Sequence, residues 1–389
     1  MLRQIREDLQ KHYYDPTMHG LDLDAQFAEA ETQIKSATDI SQVMVRLVEP
    51  LWRLDDSHTT FFPPNRALLV DYGWEMNMVG DVPLVFRVDA ASDAAAKGLA
   101  PGDQVLALNR FQPNRSNLWQ ISYFYRFIRP QAQQHIVVRK PDGTERTLDV
   151  KSRVTKKPLT ELADLIDELS AVNKSMRHRQ VAVGADTIVW KMPGFDNPDA
   201  VREQIGHAGK YKSLILDLRG NGGGLVVALR ELVSRCFDHE LLLAVEKGRT
   251  KETEDRVKPV KDPFRGSLIV LVDSRSASAA EMFARLVQIE KRGTVMGDRT
   301  AGAVMTSQFF PHSVGLAAVA FYATSITVAD VRMSDGRSLE KTGVIPDHVA
   351  LPAPADLAAH RDPVLARALA IAGTEVTPES AAALFGEKR

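Results

Sequence analysis

The chain has 389 residues, 44% of them hydrophobic and 25% charged, with a formal net charge of −1. That length exceeds one ordinary core and predicts two or three domains, and the balanced charge lacks the basic excess that a nucleic-acid partner demands. The single cysteine rules out a disulfide framework or a multi-thiolate metal site within one chain, no apolar run reaches membrane-spanning length, and Met1–Gln10 is charged rather than signal-like.

Met1–Leu54 reads as helical: Ile5, Leu9 and Tyr13 recur at helical spacing, Asp15-Pro16 interrupts, and Leu23–Ile34 and Ile40–Leu51 resume the pattern. A polar motif follows, Leu54-Asp55-Asp56-Ser57-His58-Thr59-Thr60, closed by Phe61-Phe62-Pro63-Pro64. The character then turns to short β runs, Leu84–Val88, Gln104–Leu108, Ile136–Arg139 and Thr147–Val150, with a hairpin turn at Pro141-Asp142-Gly143. Between the first two runs, Ala90–Asp103 encodes a short alanine-rich helix stopped at Gly98 and a Pro-Gly-Asp turn. Trp119, Tyr123 and Phe127 share one helical face in Asn117–Pro130; a buried stripe is expected, with a peptide-groove wall as the alternative. The mixed-charge runs Lys151–Lys157 and Arg249–Lys261 read as solvated loops.

After a helix-prone connector, Leu159–Val172, strand and helix alternate: Thr187–Lys191, Asn197–Ala208, Ser213–Asp217, Val226–Phe237, Leu268–Val272 and a helix with Met282, Leu286 and Ile289 on one face. This alternation predicts an α/β layer with parallel strands. Cys236, inside the second helical pattern, is expected as a small core residue. Ala355–Ala372 is a terminal helix broken at Pro363. The resulting division is 1–66 helical, 67–155 β-rich, 156–350 α/β and 351–389 a helical tail.

Two strand-to-helix turns carry the chemistry. Ser278 stands where a helix begins, among open backbone N–H groups at the positive end of a helix dipole, the surroundings that a serine attacking a carbonyl requires. Ser278-Ala279-Ala280-Glu281 is equally a capping box. Asp217–Gly224 (DLRGNGGG) turns several N–H groups toward one point. No Gly-Lys-Ser/Thr follows, which disfavours a phosphate loop, and no acidic residue ends a suitably placed second strand, which disfavours a dinucleotide fold; a merely structural turn stays open. Together, Gly223 or Gly224 would supply one oxyanion donor and the Ala279 N–H the other.

The combination of Leu214–Gly224 (LILDLRGNGGG), Ser276–Glu281 (SASAAE), Gly297–Gly302 (GDRTAG), Gly343–Asp347 (GVIPD) and the Gly98-Leu99-Ala100-Pro101-Gly102-Asp103 stretch resembles the tail-specific, C-terminal-processing and tricorn-core serine protease superfamily. The resemblance implies a crotonase-like repeated ββα core, an inserted PDZ-like domain over 67–155, and Ser278 as nucleophile. Members with a Ser/Lys dyad carry a lysine where this chain has Ala303, and a methyl group cannot take a proton. The tricorn-like branch uses a histidine preceded by a serine plus a distal glutamate, matched here by Ser57-His58 and Glu340. Asp335 is a rival acid, and Lys341 is placed to pair with Glu340 instead. The expectation is a peptidase, more an endopeptidase than an exopeptidase, acting on peptides or unfolded protein, with no cofactor or metal. The family commonly acts outside the cytoplasm; oligomeric state stays open. A non-catalytic peptide- or ligand-binding scaffold of the same fold is the alternative, and a crotonase-type acyl-CoA enzyme a third.

Overall fold

The computed structural model describes residues 1–64, 68–156, 177–315 and 319–386; the expected connector helix Leu159–Val172 lies outside them. Helices Leu2–His12, Leu23–Lys35 and Ile40–Trp52 open the chain. Asp22 and Asp39 start the second and third by accepting the N–H groups of Ala25 and Gln42, which fills donors that a helix start leaves open. Their inner faces, through Ile5, Leu9, Phe27, Leu47 and Leu51, share one apolar cluster with Val85, Val105, Ile136 and Val150 of a five-stranded sheet.

That sheet runs Trp74–Val79, Val82–Val88, Gln104–Leu108, Gln133–Arg139 and Glu145–Lys151, each strand antiparallel to the next. Gly143, at φ +89°, makes the expected turn between the last two. The aromatic segment departs from expectation. It is a helix, Leu118–Tyr123, continued by a π turn, Phe124–Ile128, and the buried side chains are Ile121, Phe124, Tyr125 and Ile128. The buried face thus passes beside the i, i+4, i+8 row, and Trp119 is left 39% exposed.

The α/β region holds two sheets. In the first, Arg179–Val183, Thr187–Lys191, Ser213–Asp217, Ser267–Val272, Thr294–Gly297 and His348–Val349 lie side by side, all parallel except the antiparallel first pair. Leu214 and Leu216 face the helices Pro198–Ala208, Val226–Cys236 and Ala279–Ile289, whereas Ile215 faces the helix Pro363–Ile371. Such two-sided cover explains why these strands read as unbroken apolar runs. Cys236 is buried on the first side, and burial pushes its thiol up to about 12.

The second sheet escapes the sequence reading. Leu241–Gly248, Glu252–Val257, Met305–Val314 and Ala320–Met333 form an antiparallel layer with Thr60–Phe62 at its edge. Arg249–Lys261, expected as a loop, therefore contains a strand, and Arg153–Lys156 is another, paired with Leu68–Asp71. Their charged side chains face water while the backbone completes a ladder. The pairing of Thr60–Phe62 with Ala323–Ser325 delivers the motif around His58 to the core.

Candidate active site

Ser278 occupies the turn between Ser267–Val272 and Ala279–Ile289 with φ +54° and ψ −119°. Positive φ in a residue with a Cβ costs about 1–3 kcal/mol and persists only where the surroundings enforce it. Here they do. The Ser278 N–H faces Ala303 O at 2.9 Å and Glu281 Oε2 at 3.1 Å. Glu281, fully buried, also accepts from Thr300 Oγ1 at 2.5 Å and from the Gly302 and Ala303 N–H groups at 2.8 Å each. Burial pushes its carboxyl up to about 7 against the pull of these donors. The glutamate half of the capping box thus forms, and the Ser278 hydroxyl makes no cap hydrogen bond.

The glycine loop abuts this turn. A Cβ on Gly223, which sits at φ +94°, would lie 2.6 Å from Ser278 Cβ and 2.9 Å from Ala277 O. The fully buried Asn221 pins the loop: its Oδ1 accepts Gly223 N–H at 2.9 Å, its Nδ2 donates to Met192 O at 3.0 Å, and its carbonyl accepts Ala277 N–H at 2.9 Å. The Gly223 carbonyl accepts from Phe195 N–H at 2.9 Å. In a planar trans peptide the N–H points opposite to the C=O. The Gly224 N–H therefore points away from Phe195, toward the side where the strand leading to Ser278 lies. Of the two glycines, Gly223 has its N–H engaged, while Gly224 and Ala279 have no N–H acceptor among the described residues.

The third part comes from the N-terminal region. Ser57 Oγ lies 2.7 Å from His58 Nδ1 and 2.8 Å from Glu340 Oε2, and Ser57 N–H donates to Glu340 Oε1 at 2.9 Å. A hydroxyl has one proton. Donated to the carboxylate, it leaves Ser57 Oγ to accept from His58 Nδ1–H, so Nε2 keeps its lone pair. Glu340 touches the ring only through Ser57. Burial pushes the His58 imidazole below its ordinary 6.5, offset in part by Asp56, and pushes the Glu340 carboxyl up against its bonds from Ser57 and Val304. Lys341 pairs with Asp55 rather than Glu340, and Asp335 pairs with Arg285.

No direct hydrogen bond joins His58 to Ser278 among the described residues. One peptide unit links them instead: the Ala303 carbonyl accepts from Ser278 N–H, and the Val304 N–H of the same amide donates to Glu340 Oε2 at 2.9 Å. Ala303, expected as the place a lysine has vacated, thus meets Ser278 through its backbone.

Residues 188–350 match peptidase family S41. A carboxyl-terminal-processing protease of Picosynechococcus is 27% identical over 317 residues, covering 77% of this chain and 71% of the relative. The tail-specific protease of Haemophilus influenzae is 24% identical, covering 70% of this chain and 39% of its own. The chain carries a peptidase S41 domain over residues 188–350. Among solved structures, mature CPAF is similar with a TM-score of 0.68 at 14% identity, covering 92% of this chain and 93% of that one. The photosystem II D1 C-terminal processing protease follows with 0.53 at 20%, covering 91% and 92%. Tricorn protease gives 0.53 at 15%, covering 96% of this chain and 36% of that one. At these identities the structural likeness shows a shared mixed α/β fold.

Three residues of this site carry more than their sequence context revealed. Asp56 Oδ1 accepts the N–H groups of His58 and Thr59 and the hydroxyl of Thr327, fixing the turn that presents the imidazole. Asp before a turn is a readable signal for such a fold-back; Asn221 follows the same logic. Glu281 was legible only as a cap. Gly223→Ala is expected to destabilise the protein by about 1–3 kcal/mol, since the new methyl meets Ser278 and keeps an unfavourable φ. Urea unfolding measures this, and a variant as stable as wild type would contradict the packing described.

Proposed function

We propose that this chain is a serine endopeptidase in which Ser278 attacks the substrate carbonyl and His58 takes its proton. The observation that carries the reading is the unbroken chain of contacts from His58 Nδ1 to Ser57 Oγ at 2.7 Å and on to Glu340 Oε2 at 2.8 Å. With Nδ1 as donor, Nε2 can accept the Ser278 proton as Oγ bonds to the carbonyl carbon. It then returns the proton to the amine as the C–N bond breaks. Water releases the acyl group by the same route. Charge on the imidazolium is met through Ser57 by the Glu340 carboxylate, and the oxyanion is met by the N–H groups of Gly224 and Ala279.

Residues 67–155 are assigned as a PDZ-like substrate-holding domain and 156–350 as a crotonase-like core, followed by the tail 351–389. An extended peptide would add to the sheet edge at Trp74–Val79, the mode by which main-chain bonds supply affinity. Contacts between that strand and the nucleophile turn support a link between binding and catalysis. Ser274 Oγ lies 2.7 Å from Asn77 Oδ1 and from Met78 O, and Gly80 N–H donates to Asp298 Oδ2 at 2.9 Å. Action outside the cytoplasm is the compartment that the family resemblance supports; among the described residues, no helix is long and apolar enough to cross a membrane.

The test is covalent labelling of the full chain with a fluorophosphonate, mapped to its residue. Label on Ser278 is expected, and a chain that takes none sinks the reading in favour of a binding scaffold. Glu340→Gln is expected to slow labelling by about 10- to 100-fold. The glutamine amide turns a donor toward Ser57 N–H or Val304 N–H, and an orphaned donor costs about 1–3 kcal/mol.

A further inference from the structure

The glycine loop has a second support that the relay does not use. Asp217, which ends the strand Ser213–Asp217, is 1% exposed, and buried charge of this kind is tolerated only when fully paired. Arg219 Nε donates to Asp217 Oδ1 at 2.9 Å and Nη2 to Asp217 Oδ2 at 2.8 Å. The other side of the same guanidinium grips Asp362, Nη1 to Oδ1 at 2.9 Å and Nη2 to Oδ2 at 2.8 Å. Lys191 closes the set, donating to Asp217 Oδ2 at 3.1 Å and to the Arg219 carbonyl at 2.9 Å.

Two features turn this network toward the active site. Arg219 immediately precedes Gly220, whose N–H is taken by Asp273 Oδ1 at 2.8 Å; Asp273 also accepts from Arg275 N–H at 3.0 Å and Ser276 N–H at 3.1 Å in the nucleophile turn. On the far side, Asp362 caps the helix Pro363–Ile371 by accepting Leu365 N–H at 2.9 Å. That helix covers the second face of the parallel sheet through Val364, Leu365 and Leu369. A planar fork can hold two carboxylates in fixed directions, which a point charge cannot.

We propose that Arg219, clamped between Asp217 and Asp362, is a positioning residue for the oxyanion loop, so that the C-terminal helix is a working part of the catalytic assembly. The inference rests on the peptidase reading above. The pull of Asp362 fixes where the chain enters Gly220–Gly224 and hence where the Gly224 N–H points.

The experiment compares kcat and KM on a peptide substrate, fluorophosphonate labelling rate and melting temperature for the full chain and three variants. Asp362→Asn keeps both the size and the cap for Leu365 while removing the charge that grips Arg219. It is expected to lower kcat and the labelling rate about 10- to 100-fold, the scale of a sub-ångström to ångström misplacement, with KM within about twofold. Arg219→Lys is expected to do the same. Arg367→Ala, on the exposed side of the same helix, is expected to match wild type. A folded Asp362→Asn with wild-type kcat overturns the proposal, as does a loss that only tracks the unfolded fraction. Should Asp362→Asn fail to fold, Asp362→Ser, which retains the cap, carries the same expectation, and failure of both to fold assigns the clamp to stability alone. A wild-type chain that neither labels nor cleaves overturns the peptidase reading itself, and this inference with it.

Discussion

Ser278→Ala is expected to lower peptide cleavage by about 10⁴- to 10⁶-fold and to abolish fluorophosphonate labelling, with the melting temperature unchanged within about 2 °C. Under the proposed mechanism, the activity loss follows from removing the attacking oxygen. The unchanged stability follows from the geometry around it. Alanine meets the same penalty at φ +54° as serine, and the Ser278 hydroxyl makes no cap hydrogen bond to lose. The anchoring bonds come from the backbone N–H, to Ala303 O and Glu281 Oε2, and these survive the substitution. Cleavage measured alongside thermal unfolding separates the two effects. A variant that cleaves within tenfold of wild type would exclude Ser278 as nucleophile.

His58→Gln is expected to cost about 10³-fold or more in kcat/KM, because general base and general acid are lost together. The pH profile of the wild type tests the same residue without mutation. Only neutral imidazole accepts the Ser278 proton, so activity falls as pH drops through the His58 pKa. Burial holds that pKa below 6.5, with Asp56 opposing. The acid limb of kcat/KM, which reports the free enzyme, is therefore expected below pH 6.5, leaving the base competent where an exposed histidine is already protonated. A limb at or above that value would mean that the imidazole is not held in the half-buried setting described, next to Ser57 and Asp56.

The legible parts of the molecule were those governed by local rules. The strands Ser213–Asp217 and Gln104–Leu108 are marked by apolar runs and turn residues, and the structure has them at the same bounds. Ser278 at a helix start and the glycine turn opposite it were likewise readable, because each is a strand-to-helix junction in contiguous sequence. What escaped is what depends on partners distant in sequence. The strand Glu252–Val257 has no apolar alternation strong enough to announce itself and exists because Leu241–Gly248 pairs with it. The stripe of Trp119, Tyr123 and Phe127 fits a regular helix, but the tertiary packing buries Ile121, Phe124, Tyr125 and Ile128 instead. At the site, sequence could list serine, histidine and glutamate but not order them. That Ser57 stands between the ring and the carboxylate, and that Gly223 spends its N–H on Asn221, are facts of folded geometry. The ion pair of Asp362 with Arg219 likewise joins partners distant in sequence.

The amide between Ala303 and Val304 holds Ser278 by its carbonyl and Glu340 by its N–H. Because both grips are backbone atoms, the side chain at 303 is released from any duty in keeping the two halves in register. Such a scaffold lets evolution exchange the proton acceptor at little structural risk. Under the proposed mechanism, an imidazole recruited from the other end of the chain meets a Ser278 that this peptide plane already holds in place.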